Sequence, residues 1–496
     1  MKKEFKFQFI LCCIITTLLI FISTKIQFTF DFSKNKVYSL SEYTKEIFSS
    51  VDSSIKIQWI RSKSVNNYLA RIKYVEILLN QFAQTNNCIF EIVDAETLSS
   101  TALNSLQLYP EQFTSTSQNS QTNTTVYSGL IIEYKGLTKI IPYIFDVQNL
   151  EYTITNNVFA LIQDSENTFD KRQIYILTFP NALQEDYMYL LPFLEYENII
   201  CKIVNDEDIN QLDPSIPLVV IGSHFLTDEQ IAEVDNFLQA GGNAAFFVSG
   251  NSIAVNGNWA VTPKTNDKLI SLLADYGFII GNDLLVDIFH FPLNMMSEDG
   301  RTNQVIQYPY WIRINPEQVD IHQSFFSGYN TLQMFWPSSL DLNISADKTL
   351  QPVIITSTQA KRLIENIITD PFLFSENDIS NITKNSYTLA ATSTKDRKLF
   401  VLADEYFLSR CIEFTNSDTN IQTFVSICQW LLGNENILYL KNKQSIMPAF
   451  KTFEDQSTLK NKILFARIVN IGLVPCIIIC IAIFILFSKR NMREKK

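Results

Sequence analysis

A few side chains in this sequence could do chemistry, namely Ser223 beside His224, Cys411, and the carboxylate pair Asp404-Glu405. A serine or cysteine nucleophile needs a positioned base, and a sharp glycine-flanked turn usually presents it. Adjacent residues such as Ser223 and His224 seldom point at each other, and no G-x-S-x-G elbow surrounds Ser223. Cys411, within LSRCIEF, also lacks such a turn. We therefore interpret His224 as a loop histidine and Cys411 as a structural cysteine, and we predict a protein that is not an enzyme.

Binding is the second chemistry that these residues could support. Ser223-His224 follows the apolar run Leu218–Ile221, and Asp404-Glu405 follows the apolar run Leu399–Ala403. Because α/β folds bind ligands at the carboxyl ends of their strands, we predict that all four polar residues are ligand-binding candidates. The alternative is that they are solvated loop residues.

Several other kinds of site are not indicated. The three histidines, His224, His290 and His322, are too few for extensive acid–base chemistry or metal binding. No GxxxxGK[ST] or GxGxxG motif is present, and Gly241-Gly242 closes a helix, so it is no phosphate cradle. The balance of 40 basic against 51 acidic residues argues against nucleic acid as a partner. We predict no cofactor and no metal.

A strand–helix–strand unit positions the first pair of candidates. The strand Leu218–Ile221 is followed by a capping box of Thr227 and Gln230, and the helix that begins there ends at Gly241-Gly242. A second buried strand, Ala244–Val248, follows at once. This βαβ pattern predicts an α/β domain with a parallel sheet.

The other predicted elements divide between a smaller N-terminal α/β domain and this larger domain. The N-terminal elements are a helix capped by Ser41, helices Tyr68–Ala83 and Tyr152–Gln163, and strands Ile55–Ile60, Cys88–Val93, Tyr127–Tyr134 and Lys139–Tyr143. The larger domain adds strands Gln173–Thr178, Ile199–Val204 and Leu399–Ala403, and helices Leu183–Glu195, Asn266–Tyr276 and Asn420–Leu432. Periodicity gives no assignment for Phe289–Leu342. The wholly polar tract Thr114–Thr125 predicts an exposed, mobile loop.

Two long uncharged segments, Phe7–Thr24 and Ile468–Ser488, contain 18 and 21 residues. Each matches the roughly 20 apolar residues of a membrane-spanning helix. A cleaved signal peptide is the alternative for the first, but no small-x-small cleavage pattern surrounds Ile22 to Gln27. A buried core helix is the alternative for the second, but a strongly basic tail follows it.

Positive charge flanks both segments on their outer sides. The basic residues are Lys2, Lys3 and Lys6 before the first, and Lys489, Arg490, Arg493, Lys495 and Lys496 after the second. The positive-inside rule therefore predicts a two-pass protein of the plasma (inner) membrane, with both termini in the cytoplasm and the body outside it. The predicted parts are a cytoplasmic N-terminus with the first span (residues 1–26), the smaller α/β domain (27–165), the larger α/β domain (166–440), a linker (441–462), the second span (463–488) and a basic tail (489–496).

The eight cysteines fall into two groups. Cys12, Cys13, Cys476 and Cys480 lie in the predicted spans, and Cys88, Cys201, Cys411 and Cys428 lie in the external part. No CxxC motif occurs outside the spans, so neither a zinc site nor a thioredoxin-type motif is indicated. A disulfide among the external cysteines is open, because the sequence does not determine pairing.

Six stretches together resemble the GldG-like auxiliary components of ABC transport systems, a family associated with gliding motility. They occur in the family's order along nearly the whole chain: Phe30–Ser62, LTDEQIAEVDNFLQAGGNAAFFV, VIQYPYWIRI, FWPSSLDL, RKLFVLADEYFLS and NIQTFVSICQWLLGNENI. The tract Thr114–Thr125 departs from the pattern and is interpreted as a local insertion.

The resemblance implies an auxiliary subunit that works in the membrane beside an ABC permease and a cytoplasmic ATPase. It also implies an amidotransferase-like or flavodoxin-like sheet domain that lacks the catalytic residues of the amidotransferases. It transfers no ligand-binding residues. Two alternatives remain at this point, a hydrolase using Ser223, His224 or Cys411, and a structural cell-envelope protein that meets no transporter.

Overall fold

The computed structural model describes residues 31, 36 and 38–443, except 69–71, 118–119, 145–148, 170, 206–208, 256, 297–301, 327–330 and 376–380. Both predicted membrane spans, the four cysteines within them and their basic flanks lie outside these residues. Among the residues that are described, no helix is both long enough and apolar enough to cross a bilayer.

The N-terminal part contains the strands β1 Ile55–Arg61, β2 Cys88–Asp94, β3 Glu111–Ser117, β4 Ser120–Val126, β5 Ser128–Tyr134 and β6 Leu137–Ile141. It is built on a four-stranded mixed sheet in the order β2-β1-β5-β6, with β1 parallel to β2 and antiparallel to β5. Its helices are α1 Glu42–Ser50, α2 Val65–Tyr68, α3 Ile72–Ala83, α4 Ser100–Ser105 and α5 Leu150–Glu166. The predicted cap of α1 is confirmed, because the Ser41 side chain accepts a hydrogen bond from Thr44 N. The apolar stripe of α3 packs on this sheet and buries Leu78, Leu79 and Phe82.

The polar tract Thr114–Thr125 was predicted to be an exposed, mobile loop, and its assignment as a loop is wrong. Strands β3 and β4 pair there as an antiparallel hairpin with Thr114 opposite Asn123. Composition indicated that the segment cannot bury apolar surface. A two-stranded ladder satisfies backbone groups without such burial, and the β-branched threonines favour it.

The larger part contains the remaining strands and helices. Its strands are β7 Gln173–Thr178, β8 Ile200–Ile203, β9 Leu218–Ile221, β10 Ala244–Phe247, β11 Asn251–Ile253, β12 Val261–Pro263, β13 Phe278–Ile280, β14 Leu284–Val286, β15 His290–Met296, β16 Asn303–Ile314, β17 Leu332–Phe335, β18 Leu340–Leu342, β19 Gln351–Ile355, β20 Ala360–Leu363, β21 Lys384–Asn385, β22 Thr388–Ser393 and β23 Leu399–Leu402. Its helices are α6 Leu190–Tyr196, α7 Asp228–Gln239, α8 Lys268–Asp275, α9 Ile412–Thr415, α10 Thr419–Leu431 and α11 Glu435–Asn442. The capping box predicted at Thr227 and Gln230 is confirmed at the start of α7.

Seven of these strands form the central sheet, in the order β19-β22-β23-β10-β9-β7-β8. The five strands from β23 to β8 are parallel. Taken in chain order they follow the 2-1-3-4-5 arrangement of flavodoxin-like folds, as predicted. The other two strands, β22 and β19, extend the sheet in antiparallel fashion, which the parallel pattern of the sequence did not indicate. All the described residues belong to one compact unit, Met1–Gln444, so the predicted division after residue 165 stays a prediction.

Helix α6 differs from its prediction, and the structure also assigns the segment Phe289–Leu342, for which no prediction was made. Helix α6 begins at Leu190, although a helix from Leu183 was predicted. Pro192 explains the difference, because proline is tolerated in the first turn of a helix and disrupts its interior. The unassigned segment Phe289–Leu342 contains the strands β15 to β18, and its aromatic residues Tyr308 and Trp311 lie in the core.

Candidate functional site

The candidate site lies at the carboxyl edge of the central sheet, where four strands end in register. The paired end residues are Thr178, Ile221, Phe247 and Leu402. Ser223, Ser249 and Asp404 each follow two residues beyond one of these ends, so the parallel register brings them to one edge. The prediction that the two polar pairs occupy the same edge of the sheet is therefore confirmed.

Hydrogen bonds join Ser223 to Glu405 through Lys264 and to the start of α8 through Asp267, two residues that the sequence did not single out. Ser223 Oγ donates to Asp267 Oδ2 over 2.6 Å, and Lys264 Nζ lies 3.4 Å from the same Oγ. Lys264 Nζ also donates to Glu405 Oε2 at 2.5 Å. Asp267 is the N-cap of α8, and its other carboxylate oxygen accepts from Ile270 N at 3.0 Å.

The Lys264–Glu405 ion pair is buried, with side chains that are 6% and 7% exposed. A buried charge of either sign is tolerated only when it is paired and hydrogen-bonded, and this pair meets that condition. Glu405 is further fixed through its backbone, because Glu405 N donates to Ser249 Oγ at 2.8 Å. The arrangement therefore holds the ends of β9, β10 and β23 together.

The same geometry bears on whether Ser223 could act as a nucleophile. A serine–lysine pair requires a neutral amine that can accept the hydroxyl proton. An ammonium group held against a carboxylate at 2.5 Å has no free lone pair for that role. Ser223 is only 3% exposed, and its hydroxyl proton points to Asp267. In this arrangement Ser223 acts as a link between Lys264 and the helix cap.

Asp404 differs from its neighbour Glu405 because its side chain is completely buried. Its two oxygens accept from Phe335 N at 2.7 Å and from Tyr406 N at 2.8 Å. Desolvation is the main cause that raises the pKa of Asp404 well above its usual value, against the effect of these amide donors. Its carboxylate fixes the turn after β23 to β17, and a contact of Asp404 with a ligand stays a prediction.

His224 occupies the switch point of the sheet, the gap between β7 and β9 where strand order reverses. Its ring is exposed and lies 5.5 Å from the Phe179 ring and 6.0 Å from the Phe225 ring. Within the described residues it has no hydrogen bond to Ser223. This placement agrees with the interpretation of His224 as a loop histidine. Aromatic side chains occupy this part of the edge.

Cys411 does not belong to the polar network. It is buried among apolar side chains of the larger core, and burial raises the pKa of its thiol to about 12. Reactive cysteines need the opposite environment, one that stabilises a thiolate. Cys88, Cys201 and Cys428 are also free thiols in this structure. None of the described His, Cys, Asp and Glu side chains form a group of three or more that could hold a metal ion.

The sequence analysis missed Lys264, Asp267 and Ser249. Asp267 carried a usable signal, because an aspartate at the start of the predicted helix Asn266–Tyr276 is a strong N-cap candidate. Lys264 carried none. It follows the short strand β12, which no periodicity indicates, and only the fold brings it to Glu405 across 141 residues of chain.

Comparisons with known proteins show the family to which the chain belongs. The family model described as an ABC-type uncharacterized transport system matches residues 171–432, more than half of the 496-residue chain. A model for a domain of unknown function matches residues 34–133. An uncharacterized protein of Borreliella burgdorferi is 24% identical over 493 residues, which is 94% of each chain.

Among solved structures, the crystal structure of a ThuA-like protein from Bacteroides uniformis is similar, with a TM-score of 0.31 and 10% identity over 52% of this chain and 90% of that chain. The match over residues 171–432 includes all seven strands of the central sheet. The chain therefore belongs to the family of auxiliary components described as an ABC-type uncharacterized transport system.

Proposed function

We propose that this chain is a GldG-like, membrane-anchored and non-enzymatic auxiliary subunit of an ABC-type transporter complex. Its body lies outside the cytoplasm, both of its termini are cytoplasmic, and its partners are a membrane-spanning permease and a cytoplasmic ATPase. The observation that carries the proposal is the family match over residues 171–432. The six stretches quoted above support the narrower GldG-like assignment, because they follow that family's order along the chain.

The membrane topology rests on the two uncharged segments, Phe7–Thr24 and Ile468–Ser488, and on their basic outer flanks. Two such spans would hold the body between them close to the bilayer. The absence of a phosphate-binding motif in the sequence supports a division of labour, in which a separate ATPase supplies the energy.

The non-enzymatic role is supported by the state of the candidate nucleophiles. Ser223 is buried and hydrogen-bonded to Asp267, while the nearby Lys264 is paired with Glu405. The Cys411 thiol is buried in an apolar environment that disfavours the thiolate. Each group is used in holding the fold, which is the behaviour expected of a binding or scaffolding domain.

Affinity purification of the tagged full chain from detergent-solubilised membranes, followed by mass spectrometry, tests the proposed partners. We expect a permease and an ATPase of the ABC type to co-purify at levels well above those from an untagged strain. Recovery of envelope proteins without either subunit would instead favour the structural cell-envelope alternative and contradict the transporter assignment.

Topology is tested separately by protease treatment of spheroplasts. A body outside the cytoplasm is cleaved in intact spheroplasts, whereas a cytoplasmic control protein survives until lysis. A body that resists protease until lysis would invert the topology and overturn the proposal.

The enzyme alternative is tested by the single variants Ser223→Ala, His224→Ala and Cys411→Ala in a strain whose deletion phenotype has been measured. We expect each variant to restore the wild-type phenotype at wild-type protein levels. Loss of complementation by one variant that still accumulates and co-purifies with its partners would show a chemical role for that side chain.

A further inference from the structure

The chain enters and leaves its described body at one place, and a buried carboxylate joins the two ends there. Glu151 lies in the first turn of α5 and is 5% exposed. Its Oε1 accepts from Ser41 N at 2.7 Å and from Thr44 Oγ1 at 2.9 Å, both at the start of α1. Its Oε2 accepts from Lys443 Nζ at 2.6 Å. One side chain thus holds residues that are more than 400 positions apart.

Lys443 is the C-cap of α11 and the last residue that the structure describes. Its ammonium group also donates to the carbonyl oxygen of Ser39, so it contacts the entering segment directly. The Lys443 and Glu151 side chains are 6% and 7% exposed. Both charges sit favourably at helix ends, the cation at the C-terminus of α11 and the carboxylate at the N-terminus of α5.

A second contact ties the same two helices together next to the first one. Lys441 Nζ lies 3.9 Å from Glu197 Oε1 and 5.6 Å from the centre of the Tyr152 ring. The Tyr152 hydroxyl donates to Glu197. The apolar side chains of Ile437 and Leu440 pack against Tyr152 in a small separate cluster. Helix α11 is therefore fixed to α5 here by apolar packing on Tyr152 and by the Lys441 ammonium group above its ring.

We propose that Glu151 and Lys443, with Ser39 and Ser41, form a clasp that makes the entering and leaving segments of the chain one mechanical unit. A displacement of one segment would leave a buried charge without its partner, which is strongly unfavourable. The clasp is therefore either closed or fully open, and its opening frees both segments together. Its meaning for transport rests on the proposed function, because these segments lead to the two predicted spans. In that setting a relative movement of the spans is passed to the whole body and is not absorbed at one end.

Hydrogen exchange of the full chain, read by mass spectrometry, tests the clasp through reciprocity between its two ends. Ends that are coupled through Glu151 must each respond when the opposite end, or Glu151 itself, is disturbed. We expect Lys443→Met to accelerate exchange in residues 39–44, and Glu151→Gln to accelerate exchange in residues 439–443. The expected factor is roughly tenfold or more in each case, as is typical when a hydrogen bond to a charged group is lost. Trypsin should also cleave after Lys443 in the Glu151→Gln variant.

The matched control is Glu42→Gln, which removes an exposed ion pair with Lys45 in the same helix that Ser41 caps. It should leave exchange at both ends unchanged. If Lys443→Met accelerates exchange only in residues 439–443 and leaves residues 39–44 at the wild-type rate, the ends are independent and the clasp is refuted.

The double variant Glu151→Gln/Lys443→Met distinguishes the loss of the clasp from a general loosening of the whole body. When both charges of a coupled pair are removed, the factor by which exchange in residues 39–44 accelerates must be smaller than the product of the two factors from the single variants. Multiplicative effects would overturn the proposal. The readout does not depend on co-purification, so a failed clasp and a failed transporter assignment give different results.

Discussion

The Lys264 ammonium group lies 2.5 Å from Glu405 Oε2, and both side chains are almost completely buried at the carboxyl edge of the central sheet. Lys264 lies in the connection that follows β10, Glu405 follows β23, and the two meet because β10 and β23 end in register. The pair occupies the place where related folds bind ligands, yet its groups are bonded to each other and to Ser223.

The first prediction concerns this ion pair. Lys264→Met should lower the free energy of unfolding by about 3–5 kcal/mol, because it leaves the Glu405 carboxylate buried without its partner. Urea unfolding of the full chain, followed by tryptophan fluorescence, measures the change. The matched control is Lys268→Met, since the Lys268–Asp228 pair is exposed and its loss should change stability by at most about 1 kcal/mol. Equal effects of both variants would contradict the assigned role of the buried pair.

The second prediction concerns Asp404 and pH. The pKa of Asp404 is raised in the folded chain, mainly by desolvation, so the folded state holds this proton more tightly than the unfolded state. The favourable contribution is therefore complete below the unfolded pKa and is lost as pH rises toward the folded pKa. We expect the wild-type free energy of unfolding to decrease over that range.

Urea titrations at a series of pH values, on wild type and Asp404→Asn, isolate this effect. The variant should lose this part of the pH dependence, because its side chain does not titrate. It should also be less stable by about 1–3 kcal/mol at low pH, since its amide cannot accept from both Phe335 N and Tyr406 N. Identical pH profiles for the two proteins would show that Asp404 does not titrate in this way.

The third prediction concerns thiol reactivity. Burial raises the pKa of Cys88, Cys201 and Cys411 to about 12 in each case, and it raises the pKa of Cys428 well above its usual range. Because the thiolate is the reactive form, iodoacetamide at pH 8 should label these four cysteines slowly in the folded, reduced chain and rapidly in urea. Peptide mass spectrometry resolves each site. Rapid labelling of Cys411 in the folded chain would restore it as a candidate nucleophile.

The fourth prediction concerns the cap of α7. Thr227→Ala removes the hydroxyl that accepts from Gln230 N, which is one half of the capping box. The free energy of unfolding should fall by about 1 kcal/mol, whereas Thr227→Ser should remain close to wild type because it keeps the hydroxyl. Urea unfolding of the two variants side by side provides the measurement. A serine variant as unstable as the alanine variant would exclude a capping role.

The sequence by itself determined the elements whose signals are local. Strands β7 and β9 have the predicted bounds because a short apolar run with turn residues on both sides specifies a buried strand. The start of α7 was predicted because a capping box needs only residues within one turn. The shared edge of Ser223 and Glu405 was also predicted, because parallel strands place their carboxyl ends together.

Only the tertiary structure decided which distant groups became partners. Lys264 meets Glu405, and Glu151 meets Lys443 across 292 residues, through contacts that no local pattern encodes. The β3–β4 hairpin shows the same limit, because backbone pairing stabilises a segment whose composition alone indicates disorder. Periodicity and capping are short-range properties of the chain, whereas the pairing of buried charges depends on the register and packing of the whole fold.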